Sequence, residues 1–442
     1  VTEVEVLEIP NDFGQELRAR RLAAGLSLEQ LGQRVHYSKS QLSKVERGIK
    51  QPTTELARLC DAQLEAGGAL TRLVPARRPS PPLPRPGHDD EVWLMQLSKD
   101  GSSSFQPVTR RSVIAAGASA LTMRVADGLS QPSFEQGAST VVDASRLLFE
   151  QFRRLGQASG PAGVLPPLIA QTHSLEQLAV RADFRTRREL LLLASRYAEY
   201  AGWMAQECGD DTAALWWTER AVQLAEAGED KGLAAYAQVR HSLISLYRGD
   251  ITLALQLATH ALKSGTSFRV RGLAAQHLAQ SAAVDGDYDT CMRSLDQARD
   301  LLARDAAEPD RPVLGASHVP DVVSMFRGWC MYDLGRPRQA AELLSVETER
   351  IPEHAFRTRA RYGVRQALAH AAAGEIERAC AVTEKLLPSV RLTHSATVAT
   401  DLRRLSRTLG RHSRNAAVRA LTPQLTALAD RATASRRGPS HA

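Results

Sequence analysis

The 442-residue chain is poor in the residues that would tie it to a disulfide framework, a metal or a membrane. Its five cysteines, Cys60, Cys208, Cys291, Cys330 and Cys380, stand far apart. With no CxxC pair and no Cys/His cluster at zinc-finger spacing, a disulfide scaffold and a structural zinc are both excluded, and a reducing compartment is the simplest inference. No uninterrupted apolar run reaches 18 residues, so no membrane helix is predicted and a cytoplasmic protein is expected. There is no P-loop, no HExxH and no nucleophile elbow. Catalysis therefore lacks a constellation, and no enzyme activity, cofactor or metal is expected. Lysine is scarce, with seven residues in the whole chain, and asparagine scarcer, with only Asn11 and Asn415.

What is present fits a globular protein: 43% apolar residues, 24% charged residues and a mean hydropathy of -0.27. Length alone predicts two to four domains. The net charge of +7 is modest, so its placement matters more than its size. Residues 12–58 carry nine Lys or Arg against five Asp or Glu, and three of the seven lysines, Lys39, Lys44 and Lys50, fall within twelve residues of each other. That clustering points to a polyanion as partner.

A helical pattern begins at Asp12, a plausible N-cap, with Phe13, Leu17 and Leu22 spaced for one face. It continues to about Val74, which sets the first domain at 1–75. Residues 76–87 contain five prolines and predict an extended, semi-rigid spacer. A linker with connecting helices is expected over 76–138, including a short amphipathic piece around Val92, Leu94, Met95 and Leu97. The pattern is then almost wholly helical over 139–431, and 432–442 reads as a flexible tail. Within the linker, residues 109–121 resemble a twin-arginine export signal, with Arg110 and Arg111 before a short apolar run. Export signals belong at the N-terminus, so a small-residue helix packing on the helical region or on a partner subunit is the better reading.

The helical region repeats. Glycines at Gly209, Gly249, Gly286, Gly335 and Gly374 are 40, 37, 49 and 39 residues apart, near the period of helix-pair repeats. Seven residues before each stands a small residue, Gly202, Ser242, Ala279, Gly328 or Ala367, and five after stands Ala214, Ala254, Cys291, Ala340 or Ala379. Small residues there would let paired helices approach closely. The unit that starts at Gly286 resembles the tetratricopeptide (TPR) consensus from its turn through its second helix. The resemblance implies a TPR-like α-solenoid and, with the helical first domain, an all-α fold overall. An irregular all-helical domain is the alternative.

Residues 28–35 read as one helix, His36 and Tyr37 as a tight turn and 38–47 as a second helix, with Leu31, Val35, Leu42 and Val45 supplying the contacts between them. Ser38 is a good N-cap, and it aims the free N–H groups and positive end of the second helix outward. Lys39, Ser40, Gln41 and Lys44 then lie where a recognition helix meets base edges. Residues 17–27 and 42–52 resemble the XRE family, the lambda-repressor-like helix-turn-helix domains. The resemblance implies that Lys39, Ser40 and Lys44 read bases, with Gln41 beside them. It further implies that Arg34, Arg47 and Lys50 contact phosphate and that Glu46 and Gly48 stabilise the end of the recognition helix. Leu28 stands where the family carries a phosphate-contacting Gln, and His36 where it carries Gly. A helix-turn-helix retained only as a protein contact is the competing reading, and the clustered lysines oppose it.

In a TPR register, counting back from the turn glycines places Arg196, Glu199, Trp203, Tyr236, Gln276, Gln280, Trp329, Tyr332 and Arg361 on a groove-lining face. Aromatic bodies with scattered polar groups suit a ligand that needs burial and orientation, although inter-repeat packing would use the same residues. The combination of domains resembles the peptide-responsive RRNPP regulators, in which a groove-bound peptide changes dimer geometry. Those regulators clamp the peptide with asparagines that this chain lacks. The expected partners are a double-stranded DNA operator, a signalling peptide or small-molecule ligand, and a second copy of the chain, with no membrane. A TPR-like interaction protein that captures a regulatory protein partner is the other function class.

Overall fold

The computed structural model describes residues 12–74, 91–97, 103–109, 134–305, 314–315 and 318–434. The N-terminal arm, the proline-rich spacer, the twin-arginine-like run beyond Thr109 and the end of the tail lie outside the described residues. The chain divides into two compact units, one formed by residues 1–80 with 234–442 and the other by 81–233. The helical region expected as one domain over 139–431 is thus split at 233/234.

The first unit opens with five helices: α1 (Asp12–Ala23), α2 (Leu28–Val35), α3 (Lys39–Glu46), α4 (Thr54–Gln63) and α5 (Ala69–Leu73). Ser27 and Ser38 each form a capping box, with Gln30 and Gln41 returning the bond, so both helices of the motif start at a defined residue. Leu17, Leu31, Val35, Leu42, Leu56 and Leu70 are fully or almost fully buried between them. Leu22, expected on that face, is 58% exposed, because the neighbouring Arg21 turns inward instead. Its guanidinium forms a two-pronged pair with Glu46 at 2.6 and 3.0 Å and donates to the Leu26 carbonyl at 2.7 Å.

The second unit contains a two-stranded antiparallel hairpin, β1 (Glu91–Leu97) with β2 (Ser103–Thr109), in register Glu91 opposite Thr109. The sequence reading expected a connecting helix here. Val92, Trp93, Phe105, Val108 and Thr109 are β-branched or aromatic, and that composition favours a strand over a short helix. Four helices follow: α6 (Phe134–Ala158), α7 (Pro161–Arg181), α8 (Phe184–Cys208) and α9 (Asp211–Ala227).

The remainder of the first unit is five helix pairs: α10 (Leu233–Arg248) with α11 (Ile251–Ser264), α12 (Phe268–Asp285) with α13 (Tyr288–Ala303), α14 (Val322–Asp333) with α15 (Pro337–Glu349), α16 (Phe356–Ala372) with α17 (Ile376–Thr393), and α18 (Ala396–Leu409) with α19 (Ala416–Ala434). First helices pack on first helices, α12 on α14, α14 on α16 and α16 on α18, so the pairs stack in two layers. All five glycines singled out by their spacing lie at positive φ, between 74° and 89°. Each ends a first helix in the left-handed conformation that only glycine adopts cheaply. Asp210, Asp250 and Asp287 follow three of them and cap the next helix. The small residues sit where the paired helices touch: Ala214, Ala254, Cys291, Ala340 and Ala379 are all fully buried, and Ser242 Oγ donates to the Ala254 carbonyl at 2.8 Å. The regular period therefore reflects helix-pair geometry. Among the described residues no helix is long and apolar enough to cross a membrane.

Candidate nucleic-acid interface

The turn between α2 and α3 is tight for a reason visible in its backbone. His36 takes φ 56° and ψ 40°, a left-handed cap, and its N–H returns to the Gly32 carbonyl. A Cβ on Gly32 would stand 2.5 Å from the Tyr37 carbonyl oxygen, so only glycine permits this approach of α2 to the turn. The start of α3 is thereby held outward. Ser38, Lys39, Ser40 and Lys44 are exposed, as are Arg47 and Lys50, and Gln41 is half-exposed because its side chain completes the cap on Ser38. Glu46 is buried and paired with Arg21, which makes it a structural residue as the resemblance implied. Asp61 is a second structural carboxylate, accepting from the backbone N–H groups of Leu70 and Thr71 at 2.9 and 2.8 Å and so fixing α5. The sequence offered no signal for the role of Asp61.

The domain is docked on the repeat helices of the same unit. Arg58 on α4 pairs with Asp333 at the end of α14 at 2.8 Å and donates to the Val284 carbonyl at 3.3 Å. Glu55 pairs with Arg411, whose guanidinium lies 4.7 Å over the Tyr37 ring. Three turn glycines form the seat, since a Cβ on Gly286, Gly335 or Gly374 would meet Gly68, the Arg58 carbonyl or the His36 ring, respectively. Burial, then Arg338 and His412, lower the His36 pKa. A cleft of about 790 Å³ runs beside this contact, lined in part by Arg34, Arg336 and Arg338. Arg34 is exposed and lines this cleft. The docking contacts fall on α4, the α2–α3 turn and the loop before α5, and the residues that would read DNA remain exposed.

The candidate ligand residues fall in both units. In the second, Arg196 pairs with Asp230 at 3.5 Å and Trp203 stacks on Tyr200 at 5.7 Å, with Glu199 one turn before Trp203 on the same helix. In the first, Tyr236, Gln276, Gln280 and Trp329 are buried, while Tyr332 and Arg361 are half-buried. Arg361 and Arg365 both donate to the Tyr247 hydroxyl, at 3.0 and 2.8 Å, and the Arg365 guanidinium lies over the Trp329 ring. His277, between Gln276 and Gln280, has its pKa lowered to about 3 by burial and by the neighbouring Arg240 and Arg361. Tyr332 lies near Glu55 and Arg58 of the docked domain; burial, then Glu55, raise its phenol. Counting from the glycines did not find Tyr247, His277, Arg365 or Asp401. Only the four-residue spacing of Arg361 and Arg365 hinted at a pair.

A family model described as a helix-turn-helix domain matches residues 12–74. No curated protein and no solved structure matches the chain.

Proposed function

We propose that the chain is a sequence-specific DNA-binding transcriptional regulator of XRE type, working as a cytoplasmic homodimer whose TPR-like repeat region receives a signalling peptide or small molecule. The observation that carries this reading is the orientation of the first domain. Its recognition helix is capped, basic and exposed at the end that would meet base edges, while α4 and the α2–α3 turn are seated on the repeats. In this reading Lys39, Ser40 and Lys44 read bases with Gln41, and Ser38, Arg47 and Lys50 position the domain on phosphate. Arg34 contacts phosphate only where the backbone passes the adjoining cleft.

A single helix-turn-helix of this size reads one half-site, and two copies are needed for an operator with two-fold symmetry. Holding both in one dimer makes the second contact intramolecular and raises affinity by roughly 100-fold or more. Because the recognition helix is uncovered in the docked form, a ligand acts in this reading by changing how two docked domains are spaced, not by unmasking the helix.

The test is a mobility-shift assay of the full chain against DNA from upstream of its own coding region, at one salt concentration, beside an unrelated duplex of the same length. Preferential binding of the upstream DNA supports the reading. Equal, salt-sensitive binding to both would leave only the sequence-independent phosphate term and would overturn it.

A further inference from the structure

His370, near the end of α16, is held at both ring nitrogens. A Glu375 carboxylate oxygen lies 2.7 Å from Nδ1, and Ser345 Oγ on α15 lies 3.2 Å from Nε2. An ionised carboxylate accepts and does not donate, so Nδ1 carries the ring hydrogen and Nε2 keeps its lone pair for the serine hydroxyl. Gln366 Nε2 donates to Ser345 Oγ at 3.1 Å, and the amide oxygen of Gln366 accepts from Thr348 Oγ1 at 3.0 Å. The serine hydrogen is thereby left for His370. Nucleophile, base and orienting acid stand in the order and at the separations that acyl transfer by a serine requires.

The repeat geometry does not require these residues. Four residues before the turn glycine, where His370 stands, the other four units carry Ala205, Ser245, Ala282 and Met331. One residue after the glycine, Asp210, Asp250 and Asp287 cap the following helix with their carboxylates. Glu375 occupies that position and makes no cap bond. Instead the turn at Gly374, with φ 82°, returns the Glu375 N–H to the His370 carbonyl at 2.9 Å and brings its carboxylate to the ring. Burial outweighs the bond to Glu375 and lowers the His370 pKa, which favours the form that accepts a proton. Ser345 sits inside a helix, 25 residues from His370, so no sequence motif marks the group.

A cavity of about 360 Å³ opens on it. Ser345, His370 and Glu375 all line this cavity, together with Arg338 and Arg378. Its volume is at the small end of ligand sites. Ser345 is half-buried and His370 is 1% exposed, so the base is shielded while the hydroxyl is within reach. Glu342 and Glu349 line the cavity as well. With Glu375 they set three carboxylates against two guanidiniums, and a neutral substrate suits that balance better than an anionic one.

We propose that Ser345, His370 and Glu375 form a second functional site, a hydrolase centre for small neutral carboxylic esters. This goes beyond the regulator reading and does not rest on it. Ser345 Oγ attacks the ester carbonyl carbon while its proton passes to His370 Nε2, and the carbonyl π pair moves onto oxygen. Arg338 and Arg378 supply the positive charge toward that oxyanion. The tetrahedral adduct collapses, the C–O bond to the leaving group breaks, and the departing alcohol takes the proton from His370. Water then attacks the acyl group on Ser345 with His370 as base, releasing the carboxylic acid and restoring the serine. Glu375 is a positioning residue: it fixes the tautomer of His370 and offsets the charge of the imidazolium that forms.

The experiment treats the full chain with a fluorophosphonate, which phosphonylates activated serines, and with p-nitrophenyl acetate, whose nitrophenolate release is followed by absorbance. The expected result is a label that peptide mass mapping places on Ser345, with nitrophenolate release lost in Ser345→Ala. His370→Gln should slow both reactions roughly 100-fold or more. Glu375→Gln, at a side chain 44% exposed, should slow labelling and lower kcat roughly tenfold or more with KM unchanged. Melting curves identify the folded variants, and if His370→Gln does not fold, Glu375→Gln decides alone. No label on Ser345, or equal labelling of the wild type and a folded His370→Gln or Glu375→Gln variant, overturns the site and leaves the three residues as a hydrogen-bond network between helices. Ser345→Ala should bind operator DNA as the wild type does, so this site and the regulator reading fail separately.

Discussion

Arg58 and Asp333, separated by 275 positions in sequence, form an ion pair at 2.8 Å with side chains 14% and 4% exposed, and this pair fastens the helix-turn-helix domain to the repeats. The bond is nearly desolvated at the Asp333 end. Removing Arg58 leaves a buried carboxylate without its cation, a loss of roughly 3 to 5 kcal/mol from docking. Arg58→Ala should therefore expose the seat glycines and α4 to hydrogen exchange while α1 and α3 keep their protection. Uniform protection in the variant would mean that the pair does not hold the domain.

The seat itself can be tested with two glycines of similar backbone. Gly249 and Gly335 have φ of 85° and 74°, but a Cβ at Gly249 meets nothing within 4 Å, whereas at Gly335 it would lie 2.0 Å from the Arg58 carbonyl oxygen. Gly249→Ala should cost about 1 to 2 kcal/mol from left-handed strain alone. Gly335→Ala should cost that and also undock the domain. Thermal melts supply the first comparison, and limited proteolysis between residues 74 and 91 the second. Equal behaviour of the two variants would assign both glycines to turn geometry only.

Lys44 and Glu46 lie two residues apart on α3 and should fail in different ways. Lys44 is exposed, so Lys44→Ala should leave the melt unchanged and cost about 1 to 3 kcal/mol in operator preference at one position. Glu46 is buried against Arg21, and Glu46→Gln should destabilise the domain by roughly 3 to 5 kcal/mol. Its DNA preference should persist at a temperature where the domain remains folded. Binding curves on single-substituted operators distinguish a changed preference from a reduced folded fraction.

Acid should destabilise the first unit through His277. Its pKa falls from the ordinary 6.5 to about 3 in the fold, because burial and the charges of Arg240 and Arg361 disfavour the imidazolium. The unfolded chain therefore binds a proton that the folded chain refuses. Stability is complete above pH 6.5 and is lost as the pH falls from there toward 3, at up to about 1.4 kcal/mol per pH unit. His277→Gln should flatten that slope in denaturant titrations between pH 6.5 and 4.5. An unchanged slope would place the titrating group elsewhere, with His36 and His370 next in line since burial depresses both.

Some of this architecture is written in the sequence because it is local. The capped turn at Ser38, the lysines on one end of α3 and the glycines at 40, 37, 49 and 39 residue intervals each express a rule that operates within a dozen residues. A left-handed cap, a side-chain cap and a close helix crossing depend on the residue and its near neighbours, and the structure has all three at those positions. What the sequence could not decide is which distant surfaces meet. The inward turn of Arg21 depends on Glu46, 25 residues on, and Leu22 is exposed as a consequence. The pairing of Arg58 with Asp333, the use of three turn glycines as a seat, and the convergence of Arg361 and Arg365 on Tyr247 join residues more than a hundred positions apart. Such contacts arise only when the stacked pairs bring their ends into one place, and no periodicity along the chain records them.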